Sequence, residues 1–257
     1  MSSSRERAFT LVELLTVFAV IAVLAALCMT AVQAVRERGD AAQCVSNLRQ
    51  LALANLTYAA ENGGQYVLAQ EANNRIRWHG VRRSGGEAFD PSEGPLSRYL
   101  GQDGRVKLCP SLKKVLKGTA SFEDGTGGYG YNATYIGGTP ANPFVAERMQ
   151  NVPAPVRVVM FADCAFPRAN GVQEYAYAEP WQSVDYKGRL QGALSPSVHF
   201  RHQKTANVAW CDGHVSPESP TRVGGMNGYG GDAGKWQIGW FGPEEENGWW
   251  NPQRTVP

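Results

Sequence analysis

With 257 residues, 25 Lys and Arg against 23 Asp and Glu, and a net charge of +2, the chain has no general polyanion-binding character. Arg75, Arg77, Arg82 and Arg83 form the only local basic group, whereas phosphate neutralisation calls for dense clusters of Lys and Arg, so no nucleic-acid partner is expected. The sequence has no nucleotide-binding motor motif, no G-x-S-x-G elbow and no H-E-x-x-H helix, and a non-enzymatic role is expected.

The first element is a short polar leader containing Arg5 and Arg7, followed by residues 14–35, an uncharged and mostly apolar run without Gly or Pro. As helix that run covers about 33 Å, the thickness of a bilayer's hydrocarbon. A secretory signal peptide has a shorter apolar core and a cleavage site after it; here the helical pattern continues through Gln33-Ala34-Val35-Arg36-Glu37-Arg38. The basic leader favours a cytoplasmic N-terminus and an exported C-terminal part. Glu13 is the exception in the apolar stretch. A carboxylate in hydrocarbon costs several kcal/mol unless paired, and a new amino terminus at Phe9 of a neighbouring molecule is a suitable partner.

Residues Ala8-Phe9-Thr10-Leu11-Val12-Glu13-Leu14-Leu15 resemble the processing and assembly motif of type IV pilins and type II secretion pseudopilins. The resemblance implies cutting between Ala8 and Phe9 by a prepilin peptidase, methylation of the Phe9 amine, and use of Phe9 and Glu13 in subunit docking. The family's usual residue before the cut is glycine; Ala8 is also small. Further partners implied are other pilin-like subunits, membrane lipid before assembly, and an inner-membrane platform with a cytoplasmic ATPase. The expected location is a single-pass inner-membrane protein with a periplasmic or extracellular head, and a filament when assembled.

Ala41, Cys44, Val45, Leu48, Leu51, Ala52 and Leu56 recur at three- and four-residue intervals, which extends the helix to Glu61, with a kink allowed at Gly39. Asn62-Gly63-Gly64 supplies its stop. The expected organisation is a leader over 1–8, a transmembrane and stalk helix over 9–64, and a head over 65–257 ending in a Gly- and Trp-rich extension. The fold class is α+β, with the long helix packed on a mainly antiparallel sheet. Strands are expected at 75–79, 105–108, 156–162, 175–177, 197–200 and 206–211, followed by a turn and a strand at Val215, with the unbroken apolar Val158-Val159-Met160-Phe161-Ala162 in the centre. Residues 93–100 read as a short helix or turn. The glycine-rich stretch 125–132 lacks the setting of a phosphate loop and reads as structural.

In the head, His202 is separated by nine residues from Asp212-Gly213. This resembles the H-x9-DG pattern of prepilin-type processing-associated proteins. Two roles are open for it. His202 and Asp212 serve a turn, or Asp163, His202, Asp212 and His214 converge on calcium or zinc; no cofactor is otherwise required. Of the cysteines, Cys44 with Cys109 and Cys164 with Cys211 are candidate disulfides in an exported domain. Trp236, Trp240, Trp249, Trp250 and Phe241 crowd the tail, either packed on the head or displayed as platforms for a neighbour or a glycan. The leading function is therefore a structural filament subunit. The alternative is a membrane-tethered extracytoplasmic binding protein, for glycans or metal, that does not polymerise.

Overall fold

The computed structural model describes residues 11–116, 123–225 and 230–254, with backbone alone at 30, 31, 33 and 34. It divides into two units, residues 1–40 and 41–257. One helix, α1 (Leu11–Glu61), contributes to both. Helical backbone runs through Gly39. In the first unit, Leu11–Met29 has a mean hydropathy of 2.7 and no buried residue, and is long and apolar enough to cross a membrane. Its nineteen residues rise about 29 Å.

In the second unit α1 ends where Asn and Gly permit. Gly63 and Gly64 have φ of 64° and 84°, and the Gly64 amide reaches back to the Ala59 carbonyl at 2.8 Å, satisfying a terminal acceptor. The helical stripe Cys44, Leu48, Leu51, Ala52, Asn55 and Ala59 is buried.

The remaining elements are short. β1 (Ile76–Arg77) pairs with β2 (Gly80–Val81), and α2 (Pro110–Lys113) follows Cys109. Next come β3 (Tyr129–Tyr131), β4 (Val159–Asp163), the hairpin of β5 (Phe166–Arg168) with β6 (Gly171–Gln173), and that of β7 (Gln182–Val184) with β8 (Leu190–Ala193). β9 (Val198–His199), β10 (Ala206–Trp210), β11 (Val215–Glu218), β12 (Arg222–Val223) and β13 (Ile238–Trp240) complete the chain. The main sheet is antiparallel, in the order β11-β10-β4-β3; β12-β13-β9 form a second antiparallel sheet. The protein is thus α+β, with an N-terminal apolar helix and a mainly antiparallel β-rich head.

The main sheet is covered on both faces. Tyr129, Tyr131, Phe161, Ala209 and Cys211 belong to the cluster that contains Cys44, Leu48, Leu51 and Ala52 of α1. Val159, Ala162, Val208 and Trp210 belong to a second cluster with Trp181, Trp240, Phe241 and Trp250. Val208, Ala209 and Trp210 alternate between the two clusters, and the fully buried β4 sends Met160 and Phe161 to the first and Val159 and Ala162 to the second, which is why 158–162 reads as an unbroken apolar run.

Several expected strands differ. Residues 105–108 and 175–177 form no strand: 105–108 lacks ladder partners, and Tyr177 makes one isolated bridge to Tyr131. The glycine-rich stretch contains β3, because Gly130 pairs with Ala162 where a Cβ would lie 2.5 Å from the Tyr177 backbone. Residues 93–100 contain two 3-10 turns, ending at Glu93 and spanning Ser97–Tyr99.

Candidate functional site

Two regions carry the sequence signals. Ala8 and Phe9 lie outside the described residues. Glu13 lies on α1, within the apolar segment Leu11–Met29. The Thr16 hydroxyl donates to the Glu13 carbonyl at 2.9 Å, so the neighbouring polar side chain bonds to helix backbone. Around them Leu11, Leu15, Phe18, Val23 and Leu27 are all more than half exposed within this unit. An acidic side chain in such a surface is costly in lipid unless its charge is compensated.

The second region is built around β10. His202 closes the turn that enters it: the His202 and Thr205 backbones exchange two hydrogen bonds of 3.0 Å, across Gln203 and Lys204 at φ of 53° and 67°. Two left-handed central residues make the tight primed turn whose twist suits antiparallel strands. The His202 side chain is buried, and its Nε2 lies 3.3 Å from Asp163 Oδ2 at the end of β4.

Arg201 binds the other side of Asp163. Its Nη2 donates to Asp163 Oδ1 at 2.6 Å and to the Gly128 carbonyl at 2.8 Å. The Asn207 amide donates to Oδ2 at 2.7 Å. Burial pushes the Asp163 carboxyl upward, but Arg201, then His202 and the Asn207 amide, outweigh it and hold the group below its ordinary value. His199 is also buried, and burial with the Arg201 charge keeps it neutral, well below the usual histidine range. The buried ion pair therefore ties one end of β3, β4 and β10 in the main sheet to the segment that follows β9 of the second.

Beside this pair, Cys44 of α1 and Cys109 are joined by a disulfide with a Cα–Cα distance of 5.3 Å. The Arg201 Nε donates to Cys109 Sγ at 3.3 Å, and His202 Nε2 lies 3.7 Å from the same sulfur.

At the other end of β10, Gly213 turns with φ of 90°, and its amide donates to the Trp210 carbonyl at 2.9 Å. A Cβ there would stand 3.1 Å from Leu56 Cδ1 on α1. The two halves of the motif thus meet α1 at Cys44 and Leu56, about 18 Å apart along the helix. The five residues of β10 rise about 17 Å between them. The nine-residue spacing measures one strand against three turns of helix.

Asp163, His202, Asp212 and His214 do not form one ligand set. Asp163 and His202 meet at the start of β10, whereas Asp212 and His214 form a half-exposed 2.6 Å pair beyond its end. A five-residue strand between them prevents convergence. Cys164 and Cys211 are free, buried thiols. Cys211 donates its amide to Val158, before β4, and Cys164 follows Asp163 at the other end. Because β4 and β10 are antiparallel, the two thiols stand at opposite ends of the pair.

Burial raises the Cys164 thiol to about 12, so neither geometry nor ionisation favours a bridge. The tail also differs from an exposed platform. Trp240, Phe241 and Trp250 are buried, with the Trp250 Nε1 donating to the Ala178 carbonyl at 3.1 Å.

Three important residues carried weaker sequence signals. Arg201 stands next to the motif histidine, and only the structure shows it bridging Asp163 and Cys109. Asn55 lies on the apolar stripe of α1, where its Nδ2 donates to the Tyr131 hydroxyl at 3.1 Å and its Oδ1 accepts from the Val67 amide at 2.9 Å. A polar residue at a stripe position was the available clue. Glu174 accepts from the Gly125 and Gly127 amides at 3.0 and 2.9 Å and from the Thr126 hydroxyl. The glycine-rich loop is thus occupied by the protein's own carboxylate.

Residues 3–29 match the family model of the prokaryotic N-terminal methylation motif. No curated protein and no solved structure gives a significant match. The chain therefore combines a prepilin-type N-terminal motif with, among the described residues, one apolar helix compatible with a membrane anchor, and is pilin-like in that segment.

Proposed function

We propose that the protein is a structural subunit of a type IV pilus-like or type II secretion pseudopilus filament. A prepilin peptidase would cut between Ala8 and Phe9, and the apolar helix would then pass from the membrane into the common core of a filament. The observation that carries this reading is the methylation motif over residues 3–29 with Glu13 inside an apolar helix. Apolar contacts supply adhesion there, and the pairing of Glu13 with a neighbour's amine supplies axial register. Assembly draws on an inner-membrane platform and a separate ATPase. The head fits a non-enzymatic role, since its most specific motif is engaged in fastening strand to helix.

The test is an intact-mass and N-terminal fragment measurement on protein from cells making the wild type. A chain beginning at methylated Phe9, recovered in sheared filaments, is the expected result. A chain that keeps its first eight residues and stays dispersed in the membrane refutes the reading and favours the tethered binding protein.

A further inference from the structure

We propose that the Cys44 and Cys109 pair, once reduced, forms with His202 and Asp163 a buried binding site for a thiophilic divalent cation of the zinc type. The inference does not depend on filament assembly. It starts from ligand-atom spacing. The sulfurs of Cys44 and Cys109 and a ring nitrogen of His202 all lie within 4.8 Å of one another.

A tetrahedral zinc ion, with bonds of about 2.3 Å to sulfur and 2.0–2.2 Å to nitrogen or oxygen, needs edges of about 3.6 Å between S and N and about 3.4 Å between N and O. His202 Nε2 stands 3.7 Å from Cys109 Sγ and 3.3 Å from Asp163 Oδ2. These two of the six edges are already present. Opening the disulfide lets the two sulfurs separate to about 3.8 Å, a third edge, and Asp163, which lies outside the group of three, moves towards the sulfurs to complete the site.

The surroundings also match a metal centre. The other ring nitrogen, His202 Nδ1, faces Ser111 Oγ at 3.5 Å, and the second Asp163 oxygen is held by Arg201 at 2.6 Å. Outer partners of this kind orient ligands. Charge closes as well: two thiolates, one carboxylate, one guanidinium and one divalent cation sum to zero, as a buried site requires. Cys44, Cys109 and Asp163 are fully buried and His202 is 7% exposed.

The chemistry balances with a trialkylphosphine as reductant. The phosphine takes oxygen from water to become its oxide, and the disulfide gains two electrons and two protons. Those two protons leave when the thiols bind the cation. The metal-bound form would hold α1 to the head without the covalent link.

The full chain, purified in detergent, is compared before and after phosphine reduction under inert gas, with zinc measured after gel filtration and cobalt(II) used as an optical probe. Expected are one equivalent of zinc and a thiolate-to-cobalt charge-transfer band in the reduced chain, and under 0.1 equivalent in the oxidised chain. His202→Gln should weaken zinc at least tenfold, with folding checked by circular dichroism. A reduced, folded wild type with neither zinc nor the band overturns the proposal. So does retention of both by a folded Cys44→Ala, Cys109→Ala double variant, or unchanged affinity in His202→Gln.

Discussion

Replacing both Cys44 and Cys109 with alanine tests whether the disulfide holds α1 to the head. The bridged residues are 65 apart in sequence, and the chain-entropy relation for a closed loop of that length gives about 4 kcal/mol of stabilisation through restriction of the unfolded chain. With a urea slope of about 2 kcal/mol per molar, the double variant should lose about 2 M in unfolding midpoint. Tryptophan fluorescence reports the transition, because Trp78, Trp240 and Trp250 are buried in the head. The intact oxidised wild type should weigh two hydrogens less than its fully reduced form. A midpoint shift below about 0.5 M, with the bridge confirmed by mass, would refute the idea that this link stabilises the head through its long loop.

His79 is buried, and neither ring nitrogen has a hydrogen-bond partner. Burial, then the charges of Arg77 and Arg82, lowers it to about 3. Because the folded value is depressed, its contribution to stability is complete above the unfolded value near 6.5 and is lost as pH falls towards 3. Between pH 7 and 5 that loss is about 2 kcal/mol. In urea titrations the difference between wild type and His79→Leu should change by this amount, and parallel pH curves would contradict it. Gly213→Ala should cost about 1–2 kcal/mol, since φ of 90° disfavours a side chain and Leu56 crowds the new methyl; an unchanged melting midpoint would show that the motif glycine is dispensable there. Glu13→Ala should abolish recovery in sheared filaments while leaving the head's unfolding free energy in urea within about 0.5 kcal/mol; normal filament yield would separate Glu13 from assembly.

The long helix was legible because its signal is local: an apolar run, then a three- and four-residue stripe, then Asn62-Gly63-Gly64. The central strand was legible for a related reason, since β4 is buried on both faces and reads as continuous apolar sequence. Much of the rest depends on contacts distant in sequence. β3 was hidden inside a glycine-rich stretch whose glycines serve close approach to β4 and Tyr177. Residues 105–108 look like a strand by alternation but have no ladder to join. At the candidate site, His202 and Asp163 are neighbours, yet Asp212 and His214 lie beyond a strand that sets their separation. Spacing alone did not give that direction. Arg201 had no signal apart from its place beside His202, because its partners come from Asp163, Gly128 and Cys109.

The distribution of apolar surface links these details to assembly. The main sheet spends both faces on its own chain, one against α1 and the other against the tryptophan-rich tail. Large apolar side chains left exposed in the head include Phe144, Val156 and Tyr186, whereas along Leu11–Met29 they recur at most positions. Association driven by apolar burial therefore has its main opportunity on the N-terminal helix. A pull on that helix must reach the head through α1, and within the second unit the disulfide to Cys109 and the packing of Leu56 against the Gly213 turn hold α1 to the head at two points. On the proposed filament reading, a subunit extracted by its helix needs such fastening to stay folded, which would give the nine-residue spacing a mechanical reason as well as a geometric one.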